Sequence, residues 1–529
     1  MTNWTDHLII LPILLPLAAS ALMLLFDERR YALKRAIGLA TTLALLTISV
    51  ALLQSAIAAP AARVYLLGDW PAPFGITLVV DRLSAAMLVL AAILGFASLL
   101  FASARWDRAG PRFHALFLLQ LMGLNGAFLT GDLFNLFVFF EVLLAASYGL
   151  LLHGAGRDRV SAGLHYVSIN IAASLLFLVG ASLIYSVTGT LNIADLATRI
   201  PAVPASDLML LQSGVGILGV AFFIKAGMWP LGFWLPPTYS AATPPAAALF
   251  AILSKVGIYA VLRVLLLMPE DGSGSPPHFG DEWLQIGGIA TIAFGTIGML
   301  SCRTLSRLAG FALIISSGTL LATIGAGGPV LAGALFYLVS STLGVSAFYL
   351  LIELVGRSDA EVAVAPVPAD PVFDDEYAGI LAADEDEEVG VVIPATLAIL
   401  GGGFLFCALL LGGLPPLSGF IAKFAIIDGL LGADAGWSTW TLIVLIILSG
   451  LATIIATSRA GMDLIWTPER PPRDLRLAEA APIGLLLALC LGLMIFAGPI
   501  MRYMEQTARA LDDRNTYVEP VLTAPQAAP

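Results

Sequence analysis

Three of the four lysines in this chain of 529 residues lie inside long apolar runs. They are Lys225, Lys255 and Lys423, and one carboxylate, Glu141, has the same apolar setting. The 22 arginines, in contrast, lie mostly between the apolar runs. A lysine removed from water can release its proton and regain it when a carboxylate or water approaches, whereas arginine stays charged. The pattern therefore predicts a proton relay, with Glu141 paired to Lys225; the alternative is a set of structural ion pairs.

The composition indicates that lipid is the solvent for most of the chain. Hydrophobic residues make up 59% and charged residues 12%, against roughly 25% charged residues in an average soluble domain. The mean hydropathy is +0.92. These values exclude a water-soluble globular protein and a disordered chain, and the excess of Asp and Glu over Lys and Arg (37 against 26) excludes a nucleic-acid-binding protein.

A membrane-spanning helix needs about 20 mostly apolar residues. The chain contains about fourteen such runs, so we predict an all-α polytopic membrane protein that forms one domain over residues 1–529. The predicted runs are 8–26, 34–56, 80–103, 113–130, 132–152, 162–187, 208–231, 243–268, 284–302, 308–326, 329–355, 391–432, 438–458 and 480–502.

Two of these runs contain prolines that predict a broken helix close to a lysine. Pro230 and Pro236 follow Lys225, and Pro415 and Pro416 precede Lys423. Proline removes a backbone donor, and freed carbonyl groups at membrane depth are tolerated only inside protein or beside a wet cavity. Two broken helices in the two halves of one chain are typical of transporters with inverted repeats. The alternative for either helix is a simple kink that improves packing.

Arginine and lysine predict the orientation because they accumulate in cytoplasmic loops. The odd-numbered loops carry most of them, so both termini are predicted outside the cytoplasm, including a short tail at 503–529. Residues 358–390 contain eleven acidic residues and no Lys or Arg, which accounts for the whole net charge of −11. This segment is predicted to be a solvated acidic loop on the cytoplasmic side.

Other polar residues, which lie near predicted span ends or, for Ser340 and Ser341, within the eleventh predicted run, are weaker candidates for an accessory proton path. They are His165, Ser340, Ser341, Glu353 and Asp132. An interfacial histidine with a local partner and a capping aspartate are the alternatives for His165 and Asp132. The three cysteines are isolated, so neither a metal site nor a cofactor is predicted.

Three motifs together resemble the antiporter-like subunits shared by respiratory complex I and Mrp-type cation/proton antiporters, and most closely the D-type subunits. They are Thr130-Gly131-Asp132-Leu133-Phe134-Asn135-Leu136-Phe137-Val138-Phe139-Phe140-Glu141, then Lys225 with Trp229-Pro230 and Trp234-Leu235-Pro236, and finally Pro415-Pro416-Leu417-Ser418-Gly419-Phe420 with Lys423. The resemblance covers nearly the whole chain except the acidic segment.

The resemblance implies 14 helices, two inverted five-helix repeats, broken helices 7 and 12, and a relay that ends at Lys423. It implies a secondary transporter subunit that moves protons against Na⁺ or K⁺, with A-, B-, C-, E-, F- and G-type subunits as partners in a bacterial inner membrane. The alternative is a proton-pumping subunit of complex I or of a membrane-bound hydrogenase. The family often has a histidine or lysine in the eleventh helix, where this chain has Ser340, Ser341 and Thr342.

Overall fold

The computed structural model describes residues 6–59, 61–265, 280–360, 395–432, 436–465 and 475–524. These ranges contain a two-stranded antiparallel sheet, β1 (Arg63–Leu66) and β2 (Thr77–Val80), in which Arg63 pairs with Val80. The α-helices in the same ranges are α1 (Leu11–Leu24), α2 (Tyr31–Ala58), α3 (Arg82–Ala102), α4 (Phe113–Leu129), α5 (Leu133–Leu151), α6 (Arg157–Thr188), α7 (Ile193–Arg199), α8 (Leu208–Ala226), α9 (Leu235–Ala241), α10 (Pro244–Phe250), α11 (Leu253–Leu265), α12 (Asp281–Ser301), α13 (Leu305–Ala326), α14 (Val330–Ala360), α15 (Ala395–Gly412), α16 (Ser418–Leu431), α17 (Trp437–Ile465), α18 (Leu477–Ile495), α19 (Ala497–Asp512) and α20 (Asn515–Leu522).

The helical membrane architecture predicted from the sequence is confirmed. Within the described ranges, eleven helical segments are long and apolar enough to cross a membrane, and three shorter apolar helical segments accompany them. Each predicted run overlaps one of these segments. The number of true spans and the inverted repeats stay predictions.

The most enclosed part of the bundle is formed by the segment Pro244–Val264 together with α13 and α14. Every residue in the most apolar part of Pro244–Val264 is buried. Lys255 belongs to this segment, so its ammonium group lies at the centre of the bundle and away from lipid.

Both predicted helix breaks are present. The run 208–231 is helical only as far as Ala226, the end of α8, and Gly227 after it has φ +78°; the next helix, α9, begins beyond the run at Leu235. The run 391–432 divides into α15 and α16, and Gly413 after α15 has φ +75°. A positive φ is open to glycine because it has no Cβ, so both helices can end abruptly at these positions.

A third break was not predicted from the sequence. The run 243–268 is interrupted at Ala251 and Ile252, between α10 and α11. The backbone N–H of Lys255 donates to the Ile252 carbonyl group at 2.9 Å, a tight turn that places the lysine at the start of α11. All three lysines predicted for the relay therefore lie within a few residues of a helix break.

The two ends of the described chain lie at the same end of the bundle. Arg63 donates to Asp6 at 2.7 Å, and the backbone N–H of Ala62 donates to the carbonyl group of Thr516 at 3.1 Å. This arrangement agrees with an even number of crossings.

The last predicted run, 480–502, is too long at its C-terminal end, because α18 ends at Ile495 and the amphipathic α19 follows. The predicted tail at 503–529 is described as far as residue 524, where it comprises most of α19 and all of α20. In the predicted acidic loop at 358–390, the first three residues continue α14, and the rest lies outside the described residues.

The fourth lysine, Lys34, has a carboxylate partner. It lies in the first turn of α2, its side chain is 5% exposed, and its Nζ lies 2.9 Å from Glu28 Oε1. A carboxylate neutralises this lysine directly, which distinguishes it from the three lysines in the interior of the bundle.

Candidate functional site

Lys255 is connected by hydroxyl groups to two neighbouring helices. Its side chain is fully buried, and its Nζ donates to Ser316 Oγ of α13 at 2.8 Å. Ser316 Oγ in turn lies 2.9 Å from Ser341 Oγ of α14. A hydroxyl group both donates and accepts, so this pair can pass a proton without being charged itself.

Lys423 is held at the break between α15 and α16. Its Nζ donates to the Gly412 carbonyl group at 3.0 Å. In a continuous helix this carbonyl group would accept from the residue four positions later, which is Pro416 and has no N–H. The break thus leaves an acceptor at the negative end of α15, where a cation is favoured.

Glycines make the space that Lys423 occupies. A Cβ added at Gly413 would lie 2.6 Å from the Cδ of Lys423, and one added at Gly450 of α17 would lie 3.3 Å from its Nζ and 2.5 Å from the Gly412 oxygen. Larger residues at these two positions would displace the ammonium group from its carbonyl partner.

A second hydroxyl pair lies between α14 and α16. Ser340 Oγ of α14 is 2.9 Å from Ser418 Oγ, the first residue of α16. A cavity of about 20 Å³ has Ser316, Ser340, Ser341 and Thr453 in its lining. About 10–15 Å³ is enough for one water molecule. Ser340 and Ser341, predicted as accessory residues, are therefore brought together with the surroundings of Lys255 and with α16.

The expected ion pair between Glu141 and Lys225 is not formed. Lys225 Nζ has no hydrogen-bond partner in the described part of the chain and lies 5.0 Å from the centre of the Phe140 ring. Glu141 accepts a short hydrogen bond from Ser174 of α6. The ring of Phe140 and the hydroxyl of Ser174 take the place of the direct contact.

The other predicted accessory residues have local partners. Asp132 caps α5 by accepting from the backbone N–H of Asn135 at 2.9 Å. Glu353 forms an ion pair with Arg105, and the Nδ1 of the exposed His165 is 2.9 Å from the carbonyl oxygen of Ser161. These contacts match the simpler alternatives for His165 and Asp132, and they give Glu353 a structural partner.

Of the prolines predicted to break helices, three lie in the breaks and one does not. Pro230 lies between α8 and α9, and Pro415 and Pro416 lie between α15 and α16. Pro236 instead is the second residue of α9, a position where proline's missing N–H is not needed.

An ion pair between the buried Arg263 of α11 and the partly buried Asp81, the residue before α3, was not predicted from the sequence. The guanidinium group of Arg263 contacts both carboxylate oxygens of Asp81, at 2.7 and 2.9 Å. Burial raises the pKa of Asp81, but the charge and hydrogen bonds of Arg263 outweigh this effect and hold the pKa below its ordinary value. Arg263 also contacts Tyr259 Oη and lies 4.8 Å from the centre of the Tyr517 ring.

The spacing of Lys255, Tyr259 and Arg263 is a signal that could have revealed this cluster. Residues four apart lie on the same face of a helix, so these three side chains share one face of α11. Arg263 lies near the end of the predicted run 243–268, so the sequence is equally compatible with a position in the following loop. The structure places it inside α11, with 4% of its surface exposed.

The fold and this arrangement of buried lysines at helix breaks define an antiporter-like membrane subunit. The family described as "NADH:quinone oxidoreductase/Mrp antiporter, TM" matches residues 130–364. The D subunit of a probable K⁺/H⁺ antiporter from Rhizobium meliloti is 53% identical, over 100% of this chain and 99% of the relative. The D subunit of the Na⁺/H⁺ antiporter from Alkalihalophilus pseudofirmus is 32% identical, over 98% and 99% of the two chains.

The fold has a close counterpart among solved structures. A chain in the structure of the Mrp complex from Dietzia sp. DQ12-45-1b superposes with a TM-score of 0.80 at 24% identity, covering 98% of this chain and 100% of the other. Together with the sequence relatives, this finding confirms the predicted family. The chain belongs to the NADH:quinone oxidoreductase/Mrp antiporter transmembrane family.

Proposed function

We propose that this chain is the D-type member of a multisubunit cation/proton antiporter, and that protons move through it by way of Glu141, Lys225, Lys255 and Lys423. The full-length relatives named as K⁺/H⁺ and Na⁺/H⁺ antiporter subunits support the assignment to an antiporter. The observation that carries the relay is the chain of contacts from Lys255 through Ser316 to Ser341, beside a cavity of about 20 Å³ that adjoins the Ser340–Ser418 pair.

The relay uses charged and neutral groups for different tasks. The lysines hold a proton, because an amine can alternate between ammonium and free base. The serines and a water molecule pass the proton between them, because a hydroxyl can accept one hydrogen bond while it donates another. Since serine cannot store a proton near neutral pH, a proton that leaves Lys255 must reach Lys423 in a single concerted passage.

Lys225 is the entry to this line. Its ammonium group lacks a hydrogen-bond partner in the described residues, and a buried polar group without a partner is costly. A swing of Lys225 towards Glu141 would satisfy both charges, and a swing away would release the proton towards Lys255. While Lys225 points away from Glu141, the short hydrogen bond from Ser174 would hold the carboxylate in position for the return of the lysine.

The assembly implied is a secondary transporter with several membrane subunits, in which proton entry drives the export of Na⁺ or K⁺. The odd-numbered loops, which are rich in arginine, are assigned to the cytoplasm and both termini to the opposite side of a bacterial inner membrane. A redox-driven subunit of complex I or a hydrogenase is less well supported, because the two D subunits described above, which match by sequence over nearly their whole length, are named as antiporter subunits.

The test is cation-induced collapse of a pH gradient in inverted vesicles that contain the assembled complex. Lys255→Ala and Glu141→Ala should each lower exchange by roughly tenfold or more, the scale expected for a group that transfers a proton. Lys34→Met is the matched control, since Lys34 is also buried but is paired with Glu28. Normal exchange in both relay variants, with assembly intact, would exclude this line of residues as the pathway.

A further inference from the structure

A cavity of about 760 Å³ opens at the end of the bundle where α6 and α13 begin. Its basic lining residues are Arg157 and Arg159 at the start of α6 and Arg307 in the first turn of α13. The acidic residue in the lining is Asp158, and Ser161 and Ser240 add hydroxyl groups. Three guanidinium groups against one carboxylate give the cavity a positive charge, which suits a phosphate group.

The arginines in this cavity differ in how they are held. The Nε of Arg159 donates to the Ala241 carbonyl group at 2.9 Å, and its Nη1 donates to the His153 carbonyl group at 3.2 Å. These bonds fix Arg159 between α6 and α9. Arg157 and Arg307 are exposed, so both can adapt to a ligand that enters from the surface.

An exposed apolar surface continues from the cavity along α6. Leu164 is 68% exposed, Leu175 is 59% exposed and Ile171 is 50% exposed, and the three residues follow one side of the helix. Phe233, which itself lines the cavity, is 57% exposed. A polar, positively charged cavity at the end of a membrane helix, next to an apolar surface along that helix, has the two parts that a phospholipid requires.

We propose that this cavity binds the phosphodiester headgroup of an anionic phospholipid, whose acyl chains lie along the exposed face of α6. Arg157 and Arg307 bind the phosphate oxygens, and Arg159 keeps the wall of the cavity in place. A soluble phosphate would fill the polar part alone and would gain nothing from Leu164 or Phe233, which is why the lipid is the favoured occupant. The bound lipid would join α6, α9 and α13 at this end of the bundle.

The experiment is native mass spectrometry of the whole delipidated complex, titrated with phosphatidylglycerol or with phosphatidylcholine of the same acyl chains. Phosphatidylglycerol should bind more tightly, and the double variant Arg157→Gln/Arg307→Gln should weaken this binding roughly fivefold for each arginine removed, since one basic residue near a membrane surface contributes about 1 kcal/mol. The double variant Arg29→Gln/Arg30→Gln is the matched control. It removes two exposed arginines that do not line the cavity. Their loop is predicted to lie on the same side of the membrane as the cavity.

A second variant keeps every charge. Ser161→Trp should fill the cavity and lower phosphatidylglycerol binding as well, so that the result does not depend on whether the double arginine variant assembles. Equal lipid binding in wild type, Ser161→Trp and the double arginine variant would overturn the proposal. An equal loss of phosphatidylglycerol binding in the Arg29/Arg30 control would mean that general surface charge, and not the cavity, causes the effect. Displacement of the lipid by excess inorganic phosphate alone would assign the cavity to a soluble anion.

Discussion

The ammonium group of Lys423 bonds to the carbonyl group of Gly412 across the break between α15 and α16, at 3.0 Å. The acceptor is available because Pro416, four residues after Gly412, has no N–H to donate. The same proline that ends the helix therefore creates the binding position for the lysine. This relationship explains why the prolines and the lysine occur together in the sequence.

Gly450→Ala should impair exchange by displacing Lys423. The added Cβ would lie 2.5 Å from the Gly412 oxygen and 3.3 Å from the Lys423 Nζ. A displacement of about 1 Å at a reacting group can lower a rate on the order of a hundredfold. The measurement is cation-dependent proton exchange in vesicles, after assembly has been verified.

Gly484→Ala is the matched control for that substitution. Gly484 lies inside α18, and a Cβ at this position would meet no heavy atom within 4 Å. It should leave exchange unchanged, because alanine is the better helix former. Equal exchange in the Gly450 and Gly484 variants would show that the position of Lys423 at Gly412 does not matter for transport.

Ser341→Ala should slow the passage of protons between Lys255 and Lys423. The substitution removes the hydroxyl group that lies 2.9 Å from Ser316 Oγ, and one hydrogen bond contributes roughly 0.5–1.5 kcal/mol, or about two- to tenfold in rate. Thr342→Val is the control on the same helix, since its hydroxyl donates to the Leu338 carbonyl group of α14 at 2.6 Å. If the two variants exchange at the same rate, the Ser341 hydroxyl has no part in the transfer.

The lysines and two of the three helix breaks could be predicted, because each is indicated by residue types within a single short segment of the sequence. A lysine inside an apolar run is rare, and a proline beyond the first turn of a helix removes a backbone donor and breaks the helix. The break at Ala251 and Ile252 leaves no such mark, because neither residue is glycine or proline. It depends on packing in the most enclosed segment of the bundle.

Ser340 and Ser341 were predicted as accessory residues, but their partners Ser418 and Ser316 were not, because the members of each pair are far apart in sequence. Ser316 and Ser341 are 25 residues apart, and Ser340 and Ser418 are 78 residues apart. A serine in an apolar helix usually bonds to its own backbone, so the sequence offers no reason to pair Ser340 and Ser341 with these two partners. The Glu141–Lys225 contact was predicted from charge alone; in the structure, the ammonium group of Lys225 lies over the ring of Phe140 instead.

Arg263→Met should destabilise the folded protein strongly. Removing one partner of a buried ion pair leaves the other without compensation, which costs roughly 3–5 kcal/mol, and Asp81 would lose both of its bonds to the guanidinium group. The measurement is the thermal unfolding temperature of the purified complex in detergent. The double variant Asp81→Asn/Arg263→Met should recover part of the loss; a double variant less stable than Arg263→Met would contradict an uncompensated carboxylate as the cause.

Asp107, between α3 and α4, should make the stability of the protein sensitive to acid. Its side chain is fully buried, which raises its pKa, but the hydrogen bonds of His114 and Arg35 outweigh burial and hold the pKa below its ordinary value. A carboxylate whose pKa is lowered by folding stabilises the folded state at pH values above about 3.9, the pKa of aspartate in the unfolded chain. This contribution is lost as the pH falls through the pKa that the carboxylate has in the folded state. Asp107→Asn should therefore unfold more easily than wild type at pH 7, by roughly 1.5–3 kcal/mol for the loss of charged hydrogen bonds.

The difference between Asp107→Asn and wild type should shrink once the pH falls below about 3.9, because protonation removes the same charge from the wild-type side chain. Unfolding temperatures measured from neutral pH down into this range will show whether the two curves converge. Asp27→Asn is the control, since Asp27 is exposed in the loop before α2 and should shift the curve very little at any pH. Parallel curves for Asp107→Asn and wild type through the acid range would mean that the carboxylate is not the group that responds to pH.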